Sequence, residues 1–133
     1  MLVQNSNQIS SGVFITFSGN CRKALSFYQD CFGGTLHFET FDEELRGYTE
    51  TPVVCGSLFS DHIVIHGSDL VHNEGRKIGN YLSVFLPCEN ANTRRALITK
   101  LRPGHKDLPA MHNDEQKLVE ITDAFDVRWV LGV

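Results

Sequence analysis

Apolar residues recur along the chain in two spacings, and together they predict strands and helices in a repeated order. Residues 12–18 are β-branched and aromatic, which is typical of a strand. The next segment, through Phe32, places apolar side chains on one helical stripe, with Asn20 as the predicted N-cap and Gly33-Gly34 as the end. Three further strands are predicted at residues 35–41, 53–60 and 62–67.

The second half of the chain repeats this order. Residues 81–86 form a predicted strand, and a helix is predicted from about residue 89 to residue 101. Residues 119–122 and 127–131 supply later strands. The Ala-Leu pairs of the two predicted helices, at 24–25 and 96–97, lie 72 residues apart. A repeat of this length indicates a duplicated structural module rather than a solenoid unit.

A chain of 133 residues fits one domain. We expect residues 1–11, which are rich in Asn, Gln and Ser, to form a flexible arm, and residues 12–133 to form the domain. Within it, module one spans about residues 12–67, a linker spans 68–79, and module two spans about 80–133.

Composition restricts the functional classes. The formal net charge is −4, which disfavours nucleic-acid binding, because that needs a basic face. No apolar run approaches the roughly 20 residues of a membrane span, and the first residues lack the pattern of a secretory signal. The four cysteines form no C-x-x-C pair, so we expect reduced thiols in a cytoplasmic protein.

Three motifs at the start and one at the end carry a family resemblance. They are F-S-G-N-C at 17–21, A-L-S-F-Y at 24–28, F-G-G at 32–34 and D-A-F-D-V-R-W at 123–129. This combination resembles the vicinal oxygen chelate superfamily (glyoxalases, bleomycin-resistance proteins and extradiol dioxygenases), and within it the PhnB-like branch. Asp126 stands where that branch usually has glycine, and aspartate tolerates the left-handed backbone better than most residues.

The resemblance implies an α+β fold of paired βαβββ modules, which form a curled mixed sheet cup that holds a small-molecule ligand. It also implies that homodimers are common. The superfamily's chemistry uses a divalent metal that chelates vicinal substrate oxygens. Its ligand positions fall on Val13, near His66, near Asn80 and near Val130. Valine cannot ligate and asparagine is a poor ligand, so we expect no catalytic metal and no other cofactor.

The six histidines of the chain give no pattern that identifies a metal site or a catalytic site. His62 and His66 are four residues apart on a predicted strand, so they lie roughly 13 Å apart and cannot chelate one zinc ion. His66 is either a polar group of the pocket or a half-buried strand histidine with a backbone partner. His37 carries no signal. The loop histidines, which stand beside carboxylates, are candidate general bases or simply solvated; they are His72, His105 and His112.

Cys21 falls in the first turn of a helix beside Arg22 and Lys23, an environment that lowers a thiol pKa. No histidine is near in sequence to act as its base. The interpretation we favour for Cys21 is therefore packing rather than reactivity.

Strand alternation and the implied ligand position place Val13, Ile15 and Phe17 on the cup side. The predicted ligand-binding residues are Val13, Ile15, Phe17, His66, Asn80 and Trp129. We expect the protein to bind a small apolar or aromatic ligand in a metal-free cup. Two alternatives stay open: a metal-dependent lyase or dioxygenase of the same superfamily, with ligands such as His66 with His112 or Glu120, and a drug-sequestering resistance protein. Whether the protein is an enzyme is left open.

Overall fold

The computed structural model describes residues 11–40, 52–69, 76–103 and 115–133. The chain divides into two compact units, Met1–Lys77 and Ile78–Val133. The first unit contains β1 (Val13–Thr16), α1 (Cys21–Phe32), β2 (Thr35–Thr40), β3 (Val53–Phe59) and β4 (Val64–Ser68). The second contains β5 (Val84–Pro87), α2 (Ala91–Leu101), β6 (Leu118–Thr122) and β7 (Arg128–Gly132).

The first unit is a βαβββ module, as the sequence predicts. Its sheet has the order β1-β4-β3-β2, with β1 parallel to β4 and the other pairs antiparallel. The parallel pair needs a crossover, which α1, β2 and β3 supply. The glycines after α1 adopt positive φ values of 74° at Gly33 and 101° at Gly34, so the chain turns directly into β2.

Helix α1 covers one face of this sheet. Two sheet glycines allow its close approach: a Cβ on Gly56 would lie 2.7 Å from Cδ1 of Leu25, and one on Gly67 would lie 3.1 Å from Sγ of Cys21. Leu25 and Cys21 are fully buried there. The apolar stripe of α1 therefore forms the core of the unit against β3 and β4.

The N-terminus of α1 is capped from a distance. The Asn20 side chain makes no capping hydrogen bond, contrary to expectation. Asp69 takes that role, because its Oδ1 accepts the backbone N–H groups of Gly19 at 2.8 Å and Cys21 at 3.1 Å. Its Oδ2 accepts the N–H of Val53 at 3.0 Å, so one carboxylate ties the end of β4 to both α1 and β3.

The second unit repeats the pattern with the strand order β5-β7-β6, in which β5 is parallel to β7. Its described residues form βαββ; residues 104–114, between α2 and β6, lie outside the described part of the chain. The Asn90 side chain caps α2 by accepting the N–H of Thr93 at 2.8 Å. Asp126 has φ 64°, so the left-handed turn predicted at this position is confirmed.

The described residues form two mixed sheets and two helices, which confirms the predicted α+β class. None of the helices in the described residues is long and apolar enough to span a membrane.

Candidate ligand-binding face of the first sheet

Strand register assigns each side chain of the first sheet to one of two faces. Ile15 is paired with Gly67, and Gly67 with Gly56, so these three residues point towards α1. Phe14 is paired with His66, and His66 with Ser57, so these side chains share the opposite face. We call that face the open face; it comprises Phe14, His37, Ser57, Phe59 and His66.

The predicted cup residues of β1 lie on the other side of the sheet. Ile15 is 7% exposed and Phe17 is 1% exposed, and a Cβ on Gly67 would lie 2.9 Å from the Phe17 ring beside Cys21. Val13 shares their face, since it is paired with the fully buried Ile65. The structure therefore places Val13, Ile15 and Phe17 on the helix side of the sheet and not on the open face.

A one-residue shift explains the difference. The assignment started from the implied metal position at Val13, and β1 carries a large apolar side chain on each face, so alternation alone does not say which face meets the ligand. The register puts Phe14 on the open face, where it is 45% exposed.

His66 is held on the open face by a serine of the neighbouring strand. Ser57 Oγ lies 2.8 Å from Nδ1 of His66, and the two residues are directly paired across β3 and β4. Ser57 is 2% exposed, whereas His66 is only partly covered. The hydroxyl therefore fixes one ring nitrogen and leaves Nε2 on the far side of the ring; among the described residues Nε2 has no hydrogen-bond partner.

Phe59 packs between two imidazole rings. Its ring centroid lies 5.9 Å from that of His66 and 5.9 Å from that of His37, both in edge-to-face geometry. Such contacts restrain ring orientation. The open face thus presents aromatic rings with one restrained imidazole, which is suited to a flat apolar molecule carrying a polar group.

Partial burial lowers the pKa of His66 from its ordinary value of 6.5. The imidazole is therefore neutral at neutral pH. A neutral imidazole with one nitrogen held by Ser57 offers a single hydrogen-bonding atom to a ligand.

Trp129, a predicted ligand-binding residue, is a core residue of the second unit. It is fully buried, and its indole Nε1–H donates to Oδ2 of Asp123 at 2.8 Å. Oδ1 of the same carboxylate accepts the N–H groups of Phe125 and Val127 at 2.8 and 3.1 Å. The aspartate and tryptophan of the tail motif therefore build the β6–β7 turn, and the structure gives Trp129 a packing role.

Asn80 is exposed and precedes β5, which starts at Val84. Its backbone carbonyl accepts a hydrogen bond from Arg128, and Arg128 also pairs with Glu120, its Nε donating to Oε1 at 3.1 Å. The contact that the structure shows for Asn80 is therefore made by its backbone, which ties the segment before β5 to Arg128.

The residues at the implied metal positions do not fit a divalent metal. Val13 faces the helix, its neighbour Phe14 offers no donor atom, and Val130 offers none either. His66 has one nitrogen engaged by Ser57. Within the described residues, no three His, Cys, Asp or Glu side chains stand close enough together to hold a metal ion. His72, His105 and His112 lie outside the described residues.

Cys21 is built for packing. It is fully buried, and burial together with the charge of Asp69 raises its pKa to about 12. The favourable helix position noted in the sequence is outweighed by desolvation.

Sequence reasoning found His66 but missed Phe14, Ser57 and Phe59. Strand register identifies these residues. The turn from Ser60 to Ile63, in which the Ser60 N–H donates to the Ile63 carbonyl at 3.2 Å, joins β3 to β4 and pairs residue 57 with residue 66.

Comparison with solved structures gives the same fold. A protein from Pseudomonas aeruginosa, PA1353, is similar with a TM-score of 0.70 and 23% identity over 94% of this chain and 97% of that one. The PhnB protein from Bacillus cereus is similar with a TM-score of 0.70 and 20% identity, over 93% of this chain and 98% of that one. A member of the glyoxalase/bleomycin resistance protein/dioxygenase superfamily from Sphaerobacter thermophilus is similar with a TM-score of 0.55 and 18% identity, over 93% of this chain and 97% of that one.

No family model and no curated protein matches the chain. The structural likeness nevertheless spans almost the whole of each protein, and it agrees with the motifs at both ends of the sequence. The chain therefore has the fold of the glyoxalase/bleomycin resistance protein/dioxygenase superfamily, in the form found in PhnB-like proteins.

Proposed function

We propose that this protein binds a small aromatic or apolar molecule on the open face of its first sheet, without a catalytic metal. One observation carries the proposal: an imidazole restrained by Ser57 stands beside Phe14, an exposed phenylalanine ring. Small-molecule sites combine apolar surface with a few oriented polar groups, and this face offers both.

The charge and chemistry of the face fit such a ligand. Phe14 and Phe59 supply apolar surface on the strands either side of β4, and His66 supplies a neutral polar atom between them. A flat ring laid against Phe14 would bury apolar area on both partners.

A nuclear magnetic resonance screen of small aromatic compounds against the isotope-labelled protein tests this proposal. The expected result is a set of binders whose affinity falls about tenfold in Phe14→Ala, since the ring supplies much of the apolar contact. Phe27→Ala is the matched control, because Phe27 lies on α1, across the sheet from the open face. Equal losses in both variants, or no binders, would contradict the proposal.

The two alternatives are distinguished by turnover and by added metal. Conversion of a bound compound identifies an enzyme, whereas tight binding without a product identifies a sequestering protein. A metal-dependent lyase or dioxygenase requires stoichiometric uptake of zinc, nickel, manganese or iron that is lost in His66→Ala. We expect no such uptake, because Val13 and Val130 carry no donor side chain and Asn80 is a poor ligand for these metals.

A homodimer and a cytoplasmic location, both expected from the sequence, remain proposals. Large apolar side chains of the second unit are exposed and are the natural places to test self-association; they are Ile78, Tyr81, Leu82, Phe85, Leu118 and Val133. Light scattering of Leu82→Ser should show a monomer if this surface holds the dimer, and an unchanged dimer would exclude it.

A further inference from the structure

The hydroxyl of Ser57 is hydrogen-bonded to His66, and the direction of this bond depends on which tautomer the imidazole adopts. Ser57 is 2% exposed, and its only side-chain partner among the described residues is Nδ1 of His66, at 2.8 Å. One of the two atoms must donate. A serine hydroxyl has one proton to place, and a buried donor without an acceptor costs more than an unused lone pair.

If Nδ1 carried the proton, it would donate to Oγ, and the serine proton would need a second acceptor in a nearly dry position. If Ser57 donates to Nδ1 instead, the buried hydroxyl proton is satisfied, and the imidazole proton sits on Nε2, on the partly exposed side of the ring away from Ser57. The second arrangement is the one that the geometry favours.

We infer that Ser57 is a positioning residue that holds neutral His66 as the tautomer protonated on Nε2, so that the open face selects aromatic compounds that carry an acceptor oxygen. The inference rests on the proposed binding function. It extends that function from aromatic molecules in general to aryl ketones, aryl aldehydes and related compounds.

The position of Phe14 supports the same class of ligand. Phe14 is the direct neighbour of His66 on the parallel strand β1, so a ring stacked on Phe14 places its substituent close to Nε2. An acceptor oxygen on that ring receives the Nε2 proton, whereas a ring with only an alkyl substituent leaves this donor unused. The residues that strand alternation places on the open face include no arginine or lysine and do include the acidic Glu39, which favours a neutral acceptor oxygen over an anionic one.

The tautomer is measured directly by a long-range proton–nitrogen correlation spectrum of the ¹⁵N-labelled protein. We expect His66 to show a protonated Nε2 and an unprotonated, hydrogen-bonded Nδ1. Ser57→Ala should give a mixture of tautomers, and Ser57→Thr, which keeps the hydroxyl, should restore the original pattern. A wild-type His66 protonated on Nδ1 would overturn the inference, and this result does not depend on how well any variant folds.

The ligand class is tested with acetophenone and ethylbenzene, which have similar shapes but differ in the acceptor oxygen. Wild-type protein should bind acetophenone about threefold to tenfold more tightly, as one neutral hydrogen bond predicts. In Ser57→Ala this ratio should fall in proportion to the share of His66 that carries its proton on Nδ1 instead. Equal wild-type affinities would overturn the selectivity.

Ser60→Ala is the matched control, since it also removes hydroxyl hydrogen bonds, namely the partly buried ones to Ile63, but leaves the Ser57–His66 pair intact. It should retain the wild-type ratio. If neither compound binds while His66 is protonated on Nε2, the proposed function fails and the positioning role of Ser57 stands.

Discussion

The carboxylate of Asp69 accepts the backbone N–H of Cys21, which lies 48 residues earlier in the chain, and so caps helix α1 from the end of β4. The same carboxylate also accepts the N–H groups of Gly19 and Val53. An ionised acceptor that satisfies three backbone donors joins the helix, β3 and β4 in one contact.

Replacing Asp69 with alanine should therefore lower the free energy of unfolding by about 3 kcal/mol or more, because several buried N–H groups lose their acceptor. Asp69→Asn should lose less, since it keeps an acceptor oxygen. Asp61→Ala, at an exposed position of the β3–β4 turn, is the control and should change stability by less than about 0.5 kcal/mol. Urea unfolding measures all three; similar losses for Asp69→Ala and Asp61→Ala would show that the cap contributes little.

Trp129→Phe should destabilise the protein by about 2 kcal/mol, because it removes the indole donor to Asp123 and leaves a cavity in a fully buried position. It should leave the affinity for aromatic ligands unchanged. Thermal unfolding and ligand titration test the two effects separately. A loss of affinity for aromatic ligands without a change in thermal stability would show instead that Trp129 contacts the ligand.

The Cys21 thiol should resist alkylation in the folded protein. Its pKa is raised to about 12 by burial and by the nearby Asp69, so almost no thiolate is present at pH 8. Iodoacetamide followed by mass spectrometry of peptides should label the partly exposed Cys55 and Cys88 first, and Cys21 only in denaturant. Rapid native labelling of Cys21 would restore the reactive interpretation.

Stability should fall as the solution is acidified below about pH 6.5, in part through His66. Its pKa in the folded protein is lowered by burial, so the unfolded chain binds a proton more readily. The stability associated with neutral His66 is complete above the unfolded-state pKa and declines as the pH falls towards the folded-state value. Urea unfolding at pH 7.5 and 5.5 should show a smaller decline in His66→Gln than in wild type; equal declines would assign the effect to other groups.

Much of the fold follows from local pattern. The limits of α1 and of β2 to β4 lie within two residues of their predicted positions wherever the chain is described, because alternation and the glycine pair after Phe32 are local signals. The turn at Asp126 is local for the same reason.

The site was less predictable, because it depends on relationships between distant strands. β1 carries a large apolar side chain on each face, so its orientation is set by pairing with β4, and a difference of one residue exchanged Phe14 for Val13 and Ile15. Asp69 and Ser57 act on residues that are remote in sequence or on another strand. No local motif marks a cap or a hydrogen bond of that kind.

Chemical-shift mapping of acetophenone on isotope-labelled protein tests the central claim most directly. The account predicts saturable shifts centred on Phe14, Ser57, Phe59 and His66, with Ile15 and Phe17, which face the helix, much less affected. Shifts centred on Ile15 and Phe17, or none at millimolar acetophenone, would contradict it.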